Sequence, residues 1–284
     1  MNRRRKRRKR KLNQRGLLLV LAVLGVVLVL LMNSLLHESY TYDPVTDVPE
    51  VYHETRPALK YDMEKVINQD GFYTYEDDEY TSVIGIDVSA HNKELDWAQI
   101  KASGVSFAMI RCGYRGYTEG YIQDDEYFEA NIQGALDNGI QVGVYFFSQA
   151  VDEEEAAEEA KYVIEKIHDY PVTWPVVYDY EFYPESTGAR GNYINRAQRT
   201  KCAEVFLENI KNAGYTPMIY ASTDTYSQLF QPEYLTEYAF WVAQYNTYCS
   251  YPYDYFMWQY TDQGGVKGLP AGLDLNIAFL KKEQ

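Results

Sequence analysis

Histidine and cysteine are scarce in this sequence, and neither is spaced to hold a metal. The four histidines, His37, His53, His91 and His168, show no paired ligand spacing, and Cys112, Cys202 and Cys249 are an odd number without a metal-type pattern. No metal site and no cofactor is expected. The cysteines fit either one disulfide plus a free thiol or three buried thiols. Positive charge is concentrated at one end: ten of the 27 Lys and Arg lie within residues 1–15, which contain no acid. The rest of the chain sets 17 basic side chains against 41 acidic ones, a net charge of about −24. A remainder so acidic lacks the clustered Lys and Arg that phosphate attraction needs, so nucleic acid is not an expected partner. No glycine-rich phosphate loop follows the first strand, which argues against a dinucleotide-binding sheet.

Residues 1–15 read as a cytoplasmic basic arm. From Gly16 to Leu36 the chain carries no charge and is mostly Leu, Val and Ala. At about 1.5 Å per residue this run spans roughly 30 Å, the hydrocarbon thickness of a bilayer. The expectation is a single transmembrane helix over 16–36, with the lipid bilayer as its partner. Its basic flank stays cytoplasmic and the remainder is extracytoplasmic, a single-pass cell-membrane protein. A cleaved signal peptide is the alternative, but the run is long for one and no small-x-small site follows it. Residues 37–80, rich in Tyr, Asp, Glu and Pro, read as a stalk. Within it Gly71 to Tyr75 alternates enough for a strand or hairpin on the domain edge.

The texture changes at Thr81. Apolar runs over 83–88, 105–110, 140–147, 176–180, 217–220, 240–243 and 256–260 read as buried strands. Helical patterns lie between them, at 127–138, 152–168 and 195–213. Gly104, Gly139 and Gly214 each stand between a helix pattern and the next strand, where a left-handed residue ends a helix. The repeat predicts an α/β domain over 81–284 with a parallel sheet. Seven or eight strands in that length suggest an irregular (β/α) TIM-like barrel with short or missing late helices; a doubly wound open sheet is the alternative.

In such a barrel, reactive groups come from strand ends. Four acids fit: Asp87 at the end of the first strand, Asp179 and Glu181 at the end of the fourth, and Asp274 in the last. Asp179 and Glu181 are two apart on a strand and face the same side. Neighbouring carboxylates cannot both ionise easily, so one is expected to hold its proton near neutral pH. A proton donor beside a carboxylate is what glycoside hydrolysis requires. The run Asp152 to Glu155 reads differently, as a solvated helix start. The chain has 29 tyrosines, and Tyr and Trp suit stacking on sugar rings. Those following strands, Tyr145, Tyr178, Tyr220, Trp241, Tyr245 and Trp258, are the candidates for binding substrate; the others read as ordinary packing.

Ordered blocks then resemble a known family. Gly85-Ile86-Asp87-Val88-Ser89 followed by Leu95-Asp96-Trp97 is similar to the opening of the family 25 glycoside hydrolases, the Chalaropsis-type lysozymes. Phe107 to Arg111, Asp125, Phe128, Asn131, Gly143 and Tyr145, the Asp179–Glu181 pair, Trp241-Val242-Ala243, Trp258-Gln259-Tyr260 and Asp274-Leu275-Asn276 continue it in order. The resemblance covers about residues 81–281. One departure stands at Ala90 to Glu94, where the family often carries a Gln-Gly turn; His91 sits there.

The resemblance implies an N-acetylmuramidase, hydrolysing the β-1,4 bond between N-acetylmuramic acid and N-acetylglucosamine in peptidoglycan. It implies Glu181 as general acid/base and Asp179 orienting the 2-acetamido group or stabilising the intermediate. Asp87 and Asp274 would shape the site. A carboxylate nucleophile and the substrate's own acetamide both remain open, the Asp-x-Glu pattern favouring the acetamide. An inactive peptidoglycan-binding scaffold and a chitinase-like glycosidase are the alternatives.

Overall fold

The computed structural model describes residues 56–264 and 271–282. The basic arm, the apolar run over 16–36 and residues 37–55 of the expected stalk lie outside them. Among the described residues no helix is long and apolar enough to cross a membrane; the transmembrane helix expected over 16–36 lies outside them.

The strands are β1 (Ile67–Gln69), β2 (Phe72–Thr74), β3 (Tyr80–Val88), β4 (Phe107–Arg115), β5 (Ile122–Asp124), β6 (Gln141–Phe147), β7 (Val176–Asp179), β8 (Pro217–Ser222), β9 (Ala239–Ala243), β10 (Met257–Gly264) and β11 (Leu273–Lys281). The α-helices are α1 (Trp97–Ala102), α2 (Phe128–Asp137), α3 (Glu153–Ile167), α4 (Arg196–Asn212) and α5 (Thr223–Leu229). Side chains capping the first turn start four of them. Asp96 accepts from Gln99 N, Asp152 from Glu155 N, Asn195 from Gln198 N and Ser222 from Thr225 N. Gly104, Gly139 and Gly214 follow helices α1, α2 and α4 with positive φ, as the punctuation predicted.

Eight strands close into a barrel in the order β3-β11-β10-β9-β8-β7-β6-β4, with β3 pairing β4 to complete the ring and β5 lying antiparallel outside β4. This corrects the TIM-like expectation. In a TIM barrel every strand is parallel and followed by a helix. Here β11 runs antiparallel to both β10 and β3, and among the described residues no α-helix stands between β9, β10 and β11. The result is a mixed β-barrel with few helices. For β11 the physical reason is connection length, since an antiparallel neighbour is reached by turning back directly; the parallel pair β9 and β10 is joined instead by a crossover without an α-helix, residues 244–256.

The outer faces of β10 and β11, left without helices, are covered by residues 56–80. Tyr61 stacks on Phe279 with ring centroids 4.0 Å apart, and Tyr73 of the β1–β2 hairpin lies against Tyr260 and Trp258 at 4.4 and 5.3 Å. These residues belong to one compact unit with the barrel. The barrel interior has its own core, in which Phe107 stacks on Trp174 at 3.9 Å beside Met109, Val177, Met218 and Met257. All three cysteines are buried thiols, which selects the second of the two arrangements open to them.

Candidate active site

Strand parity aims the acids. Val177 packs inside the barrel while Val176 and Tyr178 face the helices, so Asp179 points inward again. Asp179 and Glu181 reach a cleft of about 470 Å³ that Asp87 at the end of β3 and Asp274 at the start of β11 also line. Asp274 enters from the antiparallel strand, where it is the cross-strand partner of Asp87. All four predicted acids therefore converge.

Asp87 is held by amides. Its Oδ2 accepts from Asn276 Nδ2 at 2.7 Å and from Gln259 Nε2 at 2.9 Å. Gln259 is fixed in turn, its Oε1 accepting from Tyr220 at 2.7 Å and Tyr245 at 3.1 Å. Trp241 Nε1 donates to Asn276 Oδ1 at 2.9 Å. Three of the predicted aromatics thus also orient the hydrogen bonds under Asp87. Across the cleft Arg111 is ion-paired with buried Asp125 at 2.8 Å. The same Asp125 oxygen accepts from Ala90 N at 2.9 Å, fixing the loop that carries His91 at the cleft rim.

The electrostatics follow from putting four carboxyls where water is scarce. Burial raises the carboxyl of Asp179 well above its usual range, and the charge of Glu181 adds to this against the pull of Arg111. Glu181 is also raised by burial, with Asp87 adding and a hydrogen bond from Tyr183 opposing. Asp87 is raised by burial against its amide donors. Asp274 is pushed up to about 9, by burial first and then by Asp87. One oxygen of Asp179, Oδ1, is buried without a hydrogen-bond partner. A carboxyl in that condition is costly unless a ligand completes it.

These shifts carry a sign. An unfolded Asp releases its proton near 3.8, whereas folded Asp274 keeps it to about 9. The folded protein therefore binds more protons across this window, and stability falls as pH rises through it. Asp87, Asp179 and Glu181 act in the same direction. The thermal unfolding midpoint is expected to drop from about pH 5 to about pH 9, and Asp274→Asn to flatten that drop. Equal slopes in wild type and variant would refute the assignment to Asp274.

Of the predicted aromatics, Tyr145, Tyr220, Trp241 and Tyr245 line the cleft. Tyr178 and Trp258 do not. Tyr178 is fully buried on the helix side, 5.3 Å from Phe206. Trp258 is fully buried under Tyr73, its Nε1 donating to Gln244 O at 2.9 Å. Alternation along the strand would have excluded both, since each is adjacent to a residue that faces the cleft. The sequence reading also missed Arg111, Tyr117, Tyr183, Gln259 and Asn276 as site residues. Arg111, Gln259 and Asn276 stand within the ordered blocks already noted; Tyr117 and Tyr183 lie in loops with no pattern to reveal them.

Similarity to known proteins bears on this site. The sequence model of the glycosyl hydrolases of family 25 matches residues 86–269. The uncharacterized protein YegX of Escherichia coli is 29% identical over 206 residues, 69% of each chain. The autolytic lysozyme of Clostridium acetobutylicum is 25% identical over 195 residues, 68% of this chain and 54% of that one. The structure of the modular autolysin LytC from Streptococcus pneumoniae superposes with a TM-score of 0.61 at 25% identity, covering 75% of this chain. This chain spans about half of LytC, 51% of its length.

Proposed function

This chain belongs to the glycosyl hydrolases of family 25, and on that premise we propose that its glycoside hydrolase activity cuts the β-1,4 bond between N-acetylmuramic acid and N-acetylglucosamine in peptidoglycan, with Glu181 as general acid/base. The observation that carries the reading is the position of Glu181. A second cleft of about 370 Å³ adjoins the first, and Glu181, Tyr220 and Tyr245 line both. Asp87, Asp179 and Asp274 line the first cleft alone. An acid that protonates a bridging oxygen must stand between the two sugars it separates. The sugar whose anomeric carbon reacts then occupies the four-acid cleft. The leaving sugar occupies the second, beside Phe182 and Tyr245, both about half exposed.

The nucleophile in this proposal is the substrate's own acetamide. Its carbonyl oxygen attacks the anomeric carbon as Glu181 gives its proton to the leaving oxygen, forming an oxazolinium ion. Asp179, through its unpartnered Oδ1, accepts from the acetamide N–H and faces the positive charge as it grows. One proton shared by the two carboxyls suffices: charge settles on Asp179 when the N–H arrives, leaving the proton on Glu181. Glu181 then takes a proton from the water that opens the oxazolinium ion. Asp274, protonated at neutral pH, braces Asp87 from the facing strand. The setting proposed is the outer side of the cytoplasmic membrane, in wall remodelling, where this glycan lies.

The test is digestion of purified peptidoglycan followed by reduction and mass spectrometry of the new ends. Muramic acid at the reducing ends is the expected result. Preferential cleavage of chitin would select a chitinase-like enzyme. Glycan binding by a folded protein without cleavage would select the scaffold.

A further inference from the structure

Among the described residues Arg111 is the one Lys or Arg that lines the four-acid cleft, and the proposed reaction has not used it. It leaves β4 level with Tyr145 of β6, just before the bulge at Cys112. Asp125 fixes how it points. Arg111 Nε donates to Asp125 Oδ2 at 2.8 Å, and the same oxygen accepts from Ala90 N at 2.9 Å. The other oxygen, Oδ1, accepts from Tyr127 N at 3.0 Å. Both oxygens of this buried carboxylate are thus occupied. Tyr114 flanks the guanidinium, its ring centroid 5.2 Å from Cζ. The two terminal nitrogens of Arg111 donate to no group among the described residues, and neither is sealed off from the cleft. A guanidinium held at Nε and open at its end presents two N–H donors that match the two oxygens of a carboxylate. Only 14% of the side chain is exposed, so these donors face a walled space, where such a pair gains most.

The order of strands says which part of the sugar arrives there. Around the barrel the order runs β9, β8, β7, β6, β4. The leaving sugar lies over β8 and β9, since Tyr220, Ser222 and Ala243 line the second cleft. Asp179 ends β7 and Glu181 stands just beyond it; in the proposed reaction they meet the acetamide on C2 and the glycosidic oxygen on C1. Arg111 on β4 lies further round in the same direction and has no part in the second cleft. A ring set with C1 toward β8 and C2 at β7 turns C3 toward β6 and β4. In N-acetylmuramic acid the group on C3 is a lactyl ether ending in a carboxyl. In N-acetylglucosamine it is a hydroxyl. A carboxylate entering a cleft that already holds four acids needs a fixed cation to meet it.

We propose that Arg111 is a specificity-determining residue that binds the free lactyl carboxylate of muramic acid, so that the preferred substrate is glycan already stripped of its stem peptides. The inference rests on the muramidase reading. Where a stem peptide is attached, the lactyl carboxyl is an amide. It then carries no charge, keeps one acceptor oxygen, and continues as a peptide into the walled end beside Tyr114 and Tyr117. Intact peptidoglycan is cut, but more slowly than stripped strands. The reaction that supplies the preferred substrate is hydrolysis of that amide, in which water adds to give the lactyl carboxylate and the free amine of the peptide. The same contact separates muramic acid from N-acetylglucosamine in this cleft, since a C3 hydroxyl offers the fork no charge.

The experiment compares kcat/KM of the full chain on two glycan pools. One is peptidoglycan strands freed of stem peptides; the other is the same strands with their lactyl carboxylates capped as methylamides. Sugars and strand length are the same, so the lactyl end alone differs. Wild type is expected to favour the free carboxylate by about 10- to 100-fold, the range for a charge-assisted pair, and mostly through KM. Arg111→Gln is expected to lose that preference, falling by about the same factor on stripped strands and changing little on capped ones. Arg111→Lys keeps the charge without the fork and is expected to lie between. Wild type cutting both pools equally would overturn the proposal without recourse to a variant. An equal fall on both pools in Arg111→Gln would make the residue a counter-charge for the acids and overturn it too. A preference that survives Arg111→Gln would place the carboxylate elsewhere. Reducing ends other than muramic acid from both pools would remove the muramidase reading, and this inference with it; muramic acid ends without a preference would remove the inference only.

Discussion

Glu181→Gln is expected to lower kcat on peptidoglycan by about 10²- to 10⁴-fold, the range for loss of a positioned acid/base. Gln preserves the size and burial of the side chain, so the cleft keeps its shape and glycan binding is expected to persist. The stability change has the opposite sign. After burial, the charge of Glu181 is the strongest influence raising Asp179. Removing it relieves repulsion in a site that holds four carboxyls, so the variant is expected to melt above wild type at neutral pH. An inactive protein that is more stable and still binds would follow from strain stored for chemistry. Loss of activity together with loss of fold would show that Glu181 is structural. The measurements are single-turnover kinetics and thermal unfolding on the same preparations.

The largest expected loss of stability comes from Arg115→Met, about 3–5 kcal/mol. Arg115 on β4 and Glu159 on α3 are both buried, with Nε to Oε1 at 2.7 Å. Arg115 also donates to Gly120 O at 2.6 Å and to Glu155 O at 3.0 Å, and Ser148 donates to the other oxygen of Glu159 at 2.6 Å. Even so paired, burial pushes Glu159 up to about 7. Without Arg115 the Ser148 hydrogen bond alone is left against that burial, and Glu159 must take a proton or remain a buried anion. Its folded value then rises further above its unfolded one, so the loss is smaller in mild acid and grows as pH rises. The double variant Arg115→Met with Glu159→Met removes both charges and is expected to recover most of the loss. Urea unfolding of the three proteins at pH 5 and pH 8 measures this. A single variant within about 1 kcal/mol of wild type would mean that water reaches the pair.

Much of the site was legible because it depends on local geometry. Parity along β7 sends Asp179 inward with Val177, and Glu181, two residues on and just beyond the strand end, lines the same cleft. The same parity, applied one residue further, separates Tyr178 and Trp258 from the cleft. The acids at the ends of β3 and β7 needed only the observation that apolar strands end in carboxyls.

The barrel's final arrangement needed the whole chain. Nothing in Leu273–Lys281 distinguishes an antiparallel strand from a parallel one, because both alternate and both are apolar; the pairing partners β3 and β10 decide. The aromatic residues of 56–80 have little periodicity of their own. They become a cover only because β10 and β11 present an outer face without helices. The same is true of the supports beneath the acids. Gln259 meets Asp87 across 172 positions. The sequence by itself determined which acids end strands and which way they face, since a strand's two-residue period is a property of the backbone. Only the tertiary structure decided which amides, rings and charges stand beside them, since burial and hydrogen bonding are set by residues far apart in the chain.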